Sequence, residues 1–431
     1  MDWGSGGATP GDSGLPSNRS SSPDVLTASG AARPARRFRT VAVGRAFTIA
    51  VTTEGAAVGW GDNSVGSLGD GRGLTHRGPV TVALPEGVTV SAVSASWGSV
   101  FALASDGWVY GWGDNSFGQL DDGTTCASPL PRQLTLPPAI TSVAAGYWHG
   151  LALTVTGEAF AWGDNSAGQL GNGTTDRADA PVAVTLPLNE RLTQVSGGGV
   201  HSLALSADGR VWAWGDNSHG QLGDGTTVSS SSPVAVRLPE GTCIVQVAAM
   251  ANASLALAND GRVYAWGDNT FGQLGDGTTI TRQTPVRAYF PQGVSIQRIS
   301  AGSVHAIALD ADGELHLWGR SQGAHPGATT AVSRSIPVQM VVPSGTRFAH
   351  VSAGFAHSAA ITTDGRLLSW GADWAGQLAG EVLPGRAQVT PAAAGAVVRL
   401  GSRTAEVSAS ERETQPGRWV YVESPIEATA G

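Results

Sequence analysis

Residues Val211–Thr227 read VWAWGDNSHGQLGDGTT. Close copies return as VYGWGDNSFGQLDDGTT from Val109, AFAWGDNSAGQLGNGTT from Ala159 and VYAWGDNTFGQLGDGTT from Val263. Weaker copies surround Trp60, Trp318 and Trp370, and a lone half-copy surrounds Trp3. Between successive motif tryptophans the gaps are 57, 52, 50, 52, 52, 52 and 52 residues. A near-constant period of this length marks a repeat architecture. Upstream of each Trp lies a second signature: SVAAGYWHGLALTVTGE from Ser142, QVSGGGVHSLALSADGR from Gln194 and HVSAGFAHSAAITTDGR from His350.

Each period reads as four short strands. HSLALSADGRVWAW from His201 holds two apolar, β-branched runs split by Asp-Gly, a strong hairpin signal because glycine takes positive φ freely. SSPVAVRLPEGTCIVQVAA from Ser231 gives two more runs, split by Pro-Glu-Gly. A lone four-stranded unit cannot bury both of its faces, whereas units stacked around an axis can. The expected fold is all-β, a seven-bladed β-propeller of four-stranded blades.

Composition agrees. Glycine makes 60 of 431 residues, as a chain full of tight turns requires, and 14 of the 28 aromatic residues are Trp. All 26 basic residues are Arg, a bias we read as the codon usage of a GC-rich genome. The net charge of −8 lacks the basic stripe of a duplex binder, so no nucleic-acid partner is expected. No apolar run approaches the ~18 residues of a membrane helix, so no membrane partner is expected either. Arg33, Arg36, Arg37 and Arg39 form the one basic cluster and read as a solvated linker. Cys126 and Cys243 make no disulfide framework. MDWGSGGATPGDSG at the N-terminus has neither part of a secretory signal. A cytoplasmic location is the default expectation, and secretion if Met1 is not the true start.

Gly-x-x-His-(Ser/Thr) followed by Asp-Gly and then Trp-Gly-x-Asn-x-x-Gly-Gln-Leu-Gly resembles the repeats of the regulator of chromosome condensation family, over residues 39–398. The resemblance, to a bacterial-type member, implies a seven-bladed propeller. It also brings in a guanine nucleotide exchange factor for a small GTPase and an ultraviolet-B photoreceptor as relatives. Exchange is the alternative reading, but the even 50 to 52-residue spacing leaves no room for a long inserted wedge. The photoreceptor's Gly-Trp-Arg-His-Thr is only partly kept. Trp97 fills the Trp slot, Gly98 and Ser99 replace Arg and His, and Trp148 stands one position late, which argues against photoreception.

Three segments follow: 1–38, an N-terminal half-repeat and linker; 39–398, the seven-repeat propeller; and 399–431, a degenerate half-repeat or tail. Trp3 precedes Pro23 by 20 residues, against 19 from Trp214 to Pro233. The C-terminal AEVSASERETQPGRWVYV has Pro416-Gly417 in the hairpin slot. The two ends could therefore pair into an eighth unit, or decorate a closed ring of seven, and seven is the expected count. In the sixth copy GRSQGAHPGATT replaces the motif loop after Trp318, which marks that blade as the most mobile.

Chemistry is sparse. Asp216, Asn217 and Asp224 carry oxygen ligands, but their spacing is not that of a calcium loop. They read as groups that bond their own turn. His149, His201, His305 and His357 share one slot with Phe47, Ser99 and Ala253, so they read as hydrogen-bonding posts for a neighbouring loop. No nucleophile elbow, phosphate loop or zinc signature occurs. No catalytic residue, metal or cofactor is expected, and the chain reads as a non-enzyme. The repeats differ most just before the histidine slot, at Arg45, Trp97, Tyr147, Trp148 and Phe355 against Gly199, Ala251 and Ser303. Equivalent positions of a cyclic repeat share one rim. The five large residues then form one arc of the kind that dominates binding interfaces. The expected function is a monomeric interaction scaffold, its partner a protein or peptide held on that face.

Overall fold

A computed structural model of the chain describes residues 36–321, 332–378, 397–400, 403–406 and 420–422. The fourth repeat shows the unit. Leu192–Gly197, His201–Ser206, Val211–Gly215 and Ser230–Ala235 pair antiparallel in chain order into one sheet. The same order recurs at 38–81, 90–133, 140–183, 244–287 and 296–339. In the seventh blade Phe348–Ala353, His357–Thr362 and Leu367–Gly371 are followed by Val420–Val422, which pairs with 367–369 as the outer strand. Val397–Leu400 and Arg403–Glu406 form a separate hairpin. The unit that begins at Arg36 is thus a seven-bladed β-propeller. Trp3, Pro23, Arg33 and the loop residues 322–331 lie outside the described residues.

The ring closes without an eighth unit. Phe38, Val41, Ala50, Val58 and Trp60 of blade 1 share one apolar cluster with Ala359, Ile361 and Leu367 of blade 7. The inner strands, such as Leu192–Gly197, line the central channel. The second strand of every blade is buried along its whole length, because both of its faces meet neighbouring blades. Outer strands are half-buried to exposed, with strict alternation in His76–Thr81. The Gly after each motif Trp takes positive φ, 102° at Gly215, where a Cβ would lie 2.6 Å from the Val200 carbonyl. The loop that follows bonds itself, as expected from its sequence. Asn217 accepts from the Leu222 N–H at 2.9 Å and donates to Asp224 and the Thr226 carbonyl.

Two bonds repeat at the junctions. Trp214 is fully buried and its indole N–H donates to the Gln169 carbonyl of the preceding blade at 2.8 Å. Trp60, Trp112, Trp162, Trp266 and Trp318 do the same. The histidine slot bonds forward, to the next blade's strand and not to a loop. His149 meets Ser202, His201 meets Ser254, His305 meets Ser358 and His357 meets Thr48, all at 2.9–3.0 Å. Where the slot holds Phe47, Ser99 or Ala253, the facing position holds Val100, Gly150 or Ala306. Histidine and hydroxyl therefore occur together or not at all. The Ser202 hydroxyl donates to the Gln169 carbonyl, so it must accept from His149 Nε2–H. That fixes His149 as the neutral Nε2–H tautomer, and burial pushes its pKa down to about 4.

Candidate functional site

One face carries the short turns between inner and second strands together with the long loops after the motif tryptophans. The turns are tied to each other by main-chain bonds around the channel mouth. Arg45 N–H reaches the Ser96 carbonyl, Tyr147 that of Gly198, Ala251 that of Ser303, Ser303 that of Gly354 and Phe355 that of Gly44. Side chains projecting from these turns start from fixed positions.

Four of the five expected residues converge there. The Arg45 guanidinium lies 4.7 Å from the Trp97 ring centroid, a cation–π contact. Trp97 packs against Tyr147 at 5.1 Å and edge-on against Phe355 at 5.4 Å. The three rings are half-buried and Arg45 is exposed. Beneath them the channel holds a cavity of about 230 Å³, lined also by Met250 and Ser303. Trp148, also half-buried, is not part of the cavity lining. It touches Tyr147 at 6.1 Å and lies 5.3 Å from Phe117 on the long loop of blade 2.

The large residues lean across the mouth toward the side that carries the small ones. The Tyr147 hydroxyl crosses the mouth to Ser303 of blade 6, at 2.6 Å. Small residues at Gly199, Ala251 and Ser303 leave the space into which the rings lean, so the rings cap the channel. Burial raises the Tyr147 phenol above its usual pKa, which keeps it a neutral hydroxyl. Ser303 and Phe117 were not foreseen as part of the site. Phe117 does stand at the variable position of the loop motif, where other copies have Val65, Ala167, His219 and Phe271. No constellation of nucleophile, base and orienting group lies at the mouth among the described residues, so the surface offers ring faces, one guanidinium and hydroxyls.

Seven four-stranded blades closed into a ring define the class of the chain as a β-propeller. The chain belongs to the RCC1-like domain family, whose model matches residues 3–289 and 185–409. It is 35% identical over 178 residues to the ultraviolet-B receptor UVR8 of Arabidopsis thaliana, covering 41% of this chain and 40% of that one. It is 29% identical over 276 residues to the human E3 ubiquitin-protein ligase HERC2, covering 63% of this chain and 5% of the ligase. The matched stretch thus spans less than half of either relative. Among solved structures it is similar to human WBSCR16, with a TM-score of 0.68 at 24% identity over 76% of this chain and 88% of that one. Prp20p of Saccharomyces cerevisiae gives 0.64 at 24% identity over 78% and 84%.

Proposed function

We propose that this chain is a non-catalytic interaction scaffold that holds a protein or peptide segment at the capped channel mouth. The observation that carries the reading is the convergence of Trp97, Tyr147, Phe355 and Arg45 on tied turns. Preorganised aromatic rings bury large area at small entropy cost, and Trp, Tyr and Arg are enriched where binding energy concentrates. Prp20p, described with its binding to Gsp1p and histones, supports protein binding as the class of activity. Exchange on a small GTPase is the narrower alternative. It would need a projecting wedge; the hairpins between second and third strands are all short, and the one long insertion is the stretch from Gly371 to Val420 in blade 7.

The test compares partner capture by wild type and Trp97→Ala from the native host, with affinities measured on the recovered partner. Trp97→Ala should weaken binding by roughly 2 kcal/mol, about thirtyfold, while the melting curve keeps its shape. Equal affinity in a folded Trp97→Ala protein would remove the mouth from the interface. A turnover assay that found a substrate would replace the scaffold reading altogether.

A further inference from the structure

The arginine cluster of the sequence plays no part at the capped mouth. Its members Arg37 and Arg39 lie at the opposite end of the channel, where the inner strands begin and blade 7 meets blade 1. There they line a cavity of about 440 Å³ together with Arg298 of blade 6, His350 of blade 7, Thr53 and Thr363. That volume is in the range of small-ligand pockets, roughly 300–1,000 Å³.

Charge in this cavity is out of balance. Asp364 is the one acid in the lining, and it is already engaged by Thr362 and by Arg366 Nε at 2.9 Å. Arg37 makes a longer, half-exposed ion pair with the same carboxylate at 3.6 Å, so one acid is shared by two guanidinium groups. Arg298 is exposed and forms no ion pair among the described residues. At the same position of the inner strand, Gln194 and Gln246 clasp the next blade's main chain, so Arg298 replaces a clasp with a charge. His350 contributes an orphan: its Nδ1 is buried without a partner, while Nε2 lies 3.4 Å from Thr40 Oγ1. Burial and the neighbouring Arg298 push the His350 pKa down to about 4, so at neutral pH the ring offers an N–H and no charge. A chain of net charge −8 otherwise repels anions, which makes this excess of guanidinium a local exception.

We propose that this cavity binds a small, multiply charged oxyanion of the phosphate type, held by Arg298 and Arg37 with His350 Nδ1–H as a neutral donor. A guanidinium fork matches two phosphate oxygens at once, and the threonine hydroxyls of the lining supply further donors. The site opens at the end of the channel opposite Trp97, and His350 is the residue common to the linings of the two cavities.

The experiment is calorimetric titration of the full chain with inorganic pyrophosphate, and separately with inorganic phosphate and a short oligoglutamate peptide. Saturable pyrophosphate binding is expected, tighter than for phosphate and weaker at higher salt. Arg298→Gln should weaken it by about tenfold or more, and Arg298→Glu should abolish it. Arg298 is exposed, so both variants should melt as wild type does, and Trp97→Ala should leave the titration unchanged. No saturable heat with pyrophosphate would overturn the proposal. So would equal affinity in Arg298→Gln, or oligoglutamate binding more tightly than pyrophosphate.

Discussion

At the scale of single residues the ring follows a matching rule. A ring at the histidine slot demands room three positions earlier: Gly146 precedes His149, Gly198 precedes His201 and Gly44 precedes Phe47. A Cβ on Gly146 would overlap the His149 imidazole. Where the slot is small, at Ser99 and Ala253, the earlier position holds Ser96 and Met250. Gly146→Ala should therefore cost about 1–3 kcal/mol in urea unfolding, as overpacking does. His149→Ala in the same chain should recover part of that loss, and a double-mutant cycle reads the coupling. The buried imidazoles also set an acid limit. Burial lowers His149 and His305 to about 4 and His201 and His357 to about 3, all below the ordinary value of 6.5. The unfolded chain then binds protons before the folded one. These groups support stability fully above pH ~6.5, and that support drains as pH falls from there through the folded values. Each neutral histidine should contribute a slope of up to about 1.4 kcal/mol per pH unit. Unfolding midpoints from pH 7.5 to 4.5 check it, and a flat profile would rule out the neutral ring.

Elements show how the blades hold without a continuous sheet. Inner strands splay around the channel, and side chains take the place of a ladder: Gln246 donates to the Ile299 carbonyl at 2.8 Å and accepts from its N–H at 2.9 Å. Gln246→Ala should cost about 1–3 kcal/mol by leaving two main-chain groups without that partner. Trp214→Ala should cost more, on the order of 3–5 kcal/mol, because it also empties a large apolar volume between blades. The four-strand unit was legible in the sequence because each strand has a local cause: Ala207-Asp208-Gly209 turns a hairpin, and Pro233 marks an outer edge. The aromatic candidates were legible as exceptions to the repeat. Their capping of the channel was not, because Tyr147 meets Ser303 across 156 residues of chain, and pairing at that distance has no periodic signature. Arg298 was hidden in the same way, since its meaning depends on Arg37 and His350 in two other blades.

For the molecule as a whole, closure is the decisive event. The junction between blades 7 and 1 repeats the chemistry of the internal ones, with Trp60 and Thr48 both bonded to the Gln377 carbonyl and His357 bonded to Thr48. Thr48→Val removes the hydroxyl from both partners at nearly constant volume. Its loss should match that of Ser254→Ala at an internal junction within about 1 kcal/mol, since the same two bonds are lost. A much larger loss at Thr48, read in denaturant midpoints, would mean that the closing contact differs in kind from the others.

Because bonds between side chains and main chain join blade 7 to blade 1 just as they join blade 4 to blade 5, the ring has no privileged seam. New ends could be opened in any Pro-x-Gly linker between blades once the original ones were bridged. Blade order is less free. A reshuffled ring would stay satisfied only if every blade donating from His149, His201, His305 or His357 were still followed by one offering a hydroxyl. The sequence of blades thus behaves like a row of keyed tiles, and four of its seven joints accept only particular neighbours.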